Sequence, residues 1–158
     1  MATYASRTDV PASRSRDEIE ATLTRYGADQ FMYGWDGDRA VVQFRMPGTD
    51  GAPEAARLVR FVLTMPAKTE RRFTHHLRGR RTAAAAEKEW EQATRQRWRA
   101  LALVVKAKLE AVESGIAEFE SEFLAYIVLP GGETVGEHAR PGIAEAYRTG
   151  APQLLLPA

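Results

Sequence analysis

FMYGWDGDRAVVQFRMPGTDGAPEAARLVRFVLTM, residues 31–65, decides the fold. Phe31, Tyr33 and Trp35 alternate with other residues, the period of a strand with one apolar face. Asp36-Gly37 is a tight-turn pair. Arg39–Met46 then reads as a second strand, with Val42, Phe44 and Met46 on one side, so the two make a hairpin. Residues 47–56 are a loop of Pro, Gly and Asp. Arg57–Met65 alternates again through Val59, Phe61, Leu63 and Met65, and Pro66 ends it.

Outward from this meander the pattern turns helical. From Thr82, a good N-cap residue, Trp90, Thr94, Trp98, Leu101, Val105, Leu109, Val112, Ile116, Phe119 and Phe123 step by threes and fours. That spacing predicts one long helix with one apolar stripe, held for about nine turns and bent or broken near Gly115. Before the meander, Ile19, Leu23 and Tyr26 mark a short helix capped by Ser13 or Ser15 and stopped by Gly27. After the long helix, Tyr126–Leu129 and Glu133–Val135 flank Pro130-Gly131-Gly132, which reads as a small hairpin. Arg140–Arg148 reads as a closing helix with Pro141 in its first turn. The fold class expected is α+β: an antiparallel three-stranded β-meander packed on one long α-helix, with short flanking helices and a small C-terminal hairpin. Residues 14–148 are expected to form the single domain, with 1–13 a disordered tail and 149–158 an apolar tail holding Leu154, Leu155 and Leu156.

The 158 residues carry a net charge of +1, which hides a strong segregation. Residues 1–56 hold six basic and nine acidic side chains, residues 57–108 fourteen and four, and residues 109–158 two and eight. A basic third of this kind is a footprint for a polyanion, or else a partner for the acidic third of the same chain. Residues 67–82, AKTERRFTHHLRGRRT, concentrate the excess and read as a mobile loop or an arm of the sheet. Lys68, Arg71, Arg72, Arg78, Arg80 and Arg81 favour Arg over Lys, which suits forked contacts to phosphate. Phe73 sits among them as an aromatic for stacking on an unpaired base. On a helical wheel Lys88, Arg95, Arg99 and Lys106 fall on one side of the long helix, a basic row about 27 Å long. This row would act as a rail for phosphates, or simply be a solvated face beside the stripe.

Other chemistry is thin. The chain has no cysteine, which excludes disulfides, thiolate metal sites and a cysteine nucleophile. His75 and His76 are adjacent and chelate one ion poorly, His138 is distant, and Asp36 and Asp38 read as turn residues. No phosphate-binding glycine loop, nucleophile elbow or HExxH motif occurs, so no enzyme and no cofactor is expected. No apolar run is long enough for a membrane span and no secretory leader is visible, so a cytoplasmic protein is expected. Trp35, Trp90 and Trp98 read as core or subunit interface, and so long an apolar stripe on so small a sheet favours a homo-oligomer.

WEQATRQRWRALALVVKAKLEAVESGI (90–116), preceded by GADQFMYGWDGDRAVVQFRM (27–46), resembles a group of short proteins of phage and prophage genomes. That resemblance implies a phage context. The order helix, β-meander, long basic-faced helix is also similar to the core of single-strand annealing proteins, which include the Red beta and RecT recombinases. This resemblance implies rings or filaments that hold DNA in a basic groove, here near Arg71, Arg72, Arg80, Arg81, Arg95, Arg99 and Lys106. The function expected is an oligomeric, sequence-tolerant binder of single-stranded DNA that promotes annealing in recombination or replication. The alternatives are a protein-interaction module, whose basic third docks an acidic partner, and a small nuclease.

Overall fold

Alternation along residues 30–64 places Phe31, Tyr33, Trp35, Val42, Phe44, Val59 and Phe61 on one face of a sheet, and helices cover that face. The computed structural model describes residues 8–48 and 52–151. The segments 1–7 and 49–51 and the Leu154–Leu156 tail lie outside the described residues. Strands β1 (Gln30–Asp36), β2 (Arg39–Met46) and β3 (Arg57–Thr64) form an antiparallel sheet in the order β1-β2-β3. Tyr33 pairs with Val42, and Val42 with Phe61, so the expected meander is present with its apolar residues in register. Gly37 supplies the positive φ of 61° that the β1–β2 turn needs.

Helix α1 (Ala12–Arg25) and helix α3 (Ala83–Glu113) pack on the same sheet face. Ile19 and Leu23 of α1 meet Val42, Phe44 and Val59 of the sheet and Trp98, Val105 and Leu109 of α3 in one core. The start of α1 differs from expectation. Pro11 precedes its first turn, its carbonyl accepts from the Ser15 N–H at 3.1 Å, and no side chain caps it. Ser15 is instead buried inside the helix.

Helix α3 begins as expected, with Thr82 Oγ1 accepting from the Ala85 N–H at 3.2 Å. It stops at Glu113, at the break expected near Gly115, and does not carry the stripe on to Phe123. The Ile116 N–H donates to Ala111 O at 2.9 Å and the Gly115 N–H to Val112 O at 3.0 Å, with Gly115 at φ 73°. That paired bonding around a left-handed residue is a Schellman stop. Phe119 and Phe123 belong to a separate helical turn, α4 (Phe119–Phe123), which doubles back onto the sheet. Phe123 is fully buried, edge-on to Phe44 and Phe61 and stacked on Phe119.

The expected C-terminal hairpin shrinks to one bridge, Val128 with Thr134, while Ile127 pairs with Val59 on the outer edge of β3. The closing helix α5 (Val135–Thr149) starts five residues earlier than expected. A capping box of Thr134 and Glu137 fixes that start, leaving Pro141 inside the helix. Gly150 ends it in the left-handed conformation, as expected. Glu137 also receives Arg60 Nη2 at 2.9 Å, tying α5 to the sheet face opposite α1 and α3.

Two outcomes follow from this packing. Phe123→Ala lowers unfolding stability by about 3–5 kcal/mol, read by urea denaturation. The second concerns Glu137, whose carboxyl is held below its ordinary range of 4.5 by the Thr134 backbone N–H and by Arg60. A depressed pKa contributes stability above the unfolded value and loses it as pH falls through the folded one. The stability gap between the natural chain and Glu137→Gln is therefore present at neutral pH. It closes as the solution is acidified below about pH 4.5.

Candidate nucleic-acid interface

The basic segment 67–82 is a folded arm, the second of the two expectations, and not a mobile loop. A helical turn, α2 (Arg71–Thr74), leads into a two-residue-strand hairpin, β4 (His75–His76) and β5 (Gly79–Arg80). Three anchors hold this arm. Phe73 is buried, 4% exposed, beneath Arg72. Glu70 accepts from the Ala67 N–H at 2.8 Å. Arg81 donates through Nη1 to the carbonyls of Arg72 at 2.8 Å, Phe73 at 3.2 Å and His75. Backbone carbonyls outside a regular ladder need donors, and here one guanidinium nitrogen gathers three of them.

The arm sits beside the N-terminal end of α3. Trp90 Nε1 donates to Pro66 O at 2.8 Å, and Lys68 Nζ lies 4.2 Å from the Trp90 ring centre while bonding Glu87 at 2.7 Å. Residues Arg71, Arg72, His75, His76, Leu77, Arg78 and Arg81 line an open concavity of about 910 Å³. Leu77 is fully exposed at the hairpin tip. The two histidines are spent locally: His75 Nδ1 lies 2.9 Å from Thr74 Oγ1, and His76 Nδ1 accepts from the Arg78 N–H at 3.0 Å. Among the described residues no group of three potential metal ligands gathers.

The predicted site residues separate into three sets. Arg71, Arg78, Arg80 and Lys88 are exposed and carry no ion pair among the described residues. Arg72 is exposed but bound to Glu70 at 2.7 Å, and Lys68 is bound to Glu87. Phe73 and Arg81 are structural, so the stacking role expected of Phe73 is withdrawn: its ring packs inside the arm.

The rail along α3 is also corrected. Lys88 and Lys106 are exposed at its two ends, but α1 lies along its middle. Arg99 is paired with Glu18 of α1, and Arg95 bonds Gln92 Oε1 at 2.6 Å and lies 3.9 Å from Glu91. Ser15 Oγ, Thr94 Oγ1, Arg95 Nε and Trp98 Nε1 are all closed off from solvent. The helical wheel placed the four cations on one side correctly and could not see α1 there. The row is an interhelical seam, and its two central members hold the fold.

The acidic third does meet the basic third, but away from the arm. Glu120 binds Arg57 at 2.5 Å, Glu122 binds Lys108 at 2.8 Å, and Glu137 binds Arg60. Internal neutralisation by the acidic third thus accounts for Arg57, Arg60 and Lys108, and among the described residues none of these glutamates pairs with 71–80. No charge pattern marked which cations were taken, because each pairing joins residues distant in sequence. The chain matches no protein-family model, no curated protein and no solved structure.

Removing the Arg81 guanidinium should loosen the arm alone. In Arg81→Ala, amide exchange across residues 75–80 speeds up while the β2 and α3 amides keep their protection.

Proposed function

We propose that this protein binds nucleic acid through the arm, with single-stranded DNA as its ligand, and that it promotes strand annealing. The observation that carries this reading is the group Arg71, Arg78, Arg80 and Lys88. They are four exposed cations on and beside one anchored element, and Glu120, Glu122 and Glu137 of the acidic third are engaged elsewhere. Arginines on a rigid hairpin present their donors with little ordering cost, which favours forked contacts to phosphate oxygens.

Such contacts position a strand without reading its sequence. Two strands held by their backbones at lowered charge keep their bases free to pair. The mechanism is charge neutralisation and requires no cofactor. The working set is Arg71, Arg72, Arg78, Arg80 and Lys88, with Lys106 a separate cation farther along α3.

Fluorescence anisotropy of labelled oligo(dT) tests this directly. Affinity should fall steeply between about 50 and 200 mM salt. The Arg71→Ala/Arg78→Ala/Arg80→Ala triple variant should bind at least tenfold more weakly. Its salt slope should shrink by about 2, the share of three single-strand phosphate contacts. Arg99→Ala should lower stability and leave the slope unchanged. A folded triple variant with unaltered binding would remove the arm from the interface. Absence of binding even at low salt would favour the second reading, an acidic protein partner with an apolar socket for the exposed Leu77.

A further inference from the structure

The sheet has two edges, and they are treated differently. The outer edge of β3 is covered by Ile127 and by the Val128 N–H, which donates to Leu58 O at 2.8 Å. Among the described residues no backbone hydrogen bond reaches β1 from its outer side. Half of its N–H and C=O groups therefore face outward with no partner among the described residues. Natural edges are usually blunted by Lys, Pro, a bulge or shortness. β1, QFMYGWD, runs seven residues with none of these and with its one charge at the last position. Its side chains are unusually apolar for an edge: Met32 is 57%, Tyr33 46% and Trp35 57% exposed.

Gly34 adds an independent observation. A Cβ built there meets no atom within 4 Å, so nothing among the described residues of a single copy requires glycine at this position. Glycine weakens a strand, and it commonly marks where another chain approaches closely.

We infer that β1 pairs antiparallel with β1 of a second copy of this chain, centred on Tyr33, to form a two-fold dimer with a continuous six-stranded sheet. In that register Tyr33 faces Tyr33 of the second copy. Phe31 faces Trp35, Gln30 faces Asp36, and exposed Met32 falls opposite the open space at Gly34. Aromatic cross-strand pairs favour such a junction, and no like charges are opposed along it. Two-fold pairing of one patch with itself closes at two copies. The inference stands independently of the DNA reading.

The chain lacks cysteine, which makes the test clean. Residues opposed across an antiparallel pair lie about 4.5–5.5 Å apart at Cα, inside the window of about 4.4–6.8 Å for a disulfide. Tyr33→Cys should therefore form a disulfide-linked dimer on mild oxidation, while Thr64→Cys, exposed on β3, should not. By light scattering the natural chain should have twice its 17.6 kDa mass at micromolar concentration. Tyr33→Lys, which opposes two cations on the axis, should be a folded monomer. A monomeric natural chain, with the Tyr33→Cys variant cross-linking no faster than the Thr64→Cys variant, would overturn the inference. So would a dimeric natural chain whose Tyr33→Cys variant fails to cross-link, since its interface would lie elsewhere. In a strictly monomeric protein, tryptophan quenching by oligo(dT) that disappears in Trp35→Phe would give this face to bases instead.

Discussion

The seating of α3 on the sheet is the constraint from which the rest follows. Trp98, Leu101, Val105 and Leu109 are buried on one stripe against the apolar sheet face. Trp98 also takes Tyr33 and Trp35 edge-on and receives Arg16 at 5.2 Å from its ring centre. Large aromatic burial of this kind supplies most of the driving force in so small a domain. Once α3 is seated, its 31 residues run about 46 Å. The basic arm is then fixed at one end and the acidic fold-back α4 near the other.

That separation decides the electrostatics. The Debye length is about 8 Å at physiological ionic strength, far less than the helix. Glu120 and Glu122 cannot screen the arm from the far end, and their cations are Arg57 and Lys108 close by. Near the arm Glu70 and Glu87 each hold one cation, Arg72 and Lys68, and exposed Glu89 adds a further negative charge on α3. The arm therefore keeps its positive character although the whole chain is nearly neutral.

What the sequence made legible was local and periodic. The meander, its Asp36-Gly37 turn and the Thr82 cap each depend on residues within a few positions of one another. The break near Gly115 was legible, but the reversal after it was hidden, because Phe119 and Phe123 extend the apolar spacing and periodicity carries no direction. The folding of the arm was hidden because Arg81 and Phe73 act through backbone carbonyls and a buried contact, which leave no pattern. For the candidate site, composition located the arm, and the helical wheel misjudged the rail because Glu18 lies 81 residues from Arg99. Trp35 reads from sequence as either core or subunit interface. Its exposure, with that of Tyr33, takes it out of the core, and Gly34 between them was the available signal.

Amide chemical-shift mapping of the full chain titrated with oligo(dT) tests most directly whether the arm is a nucleic-acid surface. The largest shifts should cluster on residues 71–81 and around Lys88, with the Arg95–Arg99 seam little changed. Shifts confined to the seam or to Tyr33–Trp35, with the arm silent, would contradict that reading.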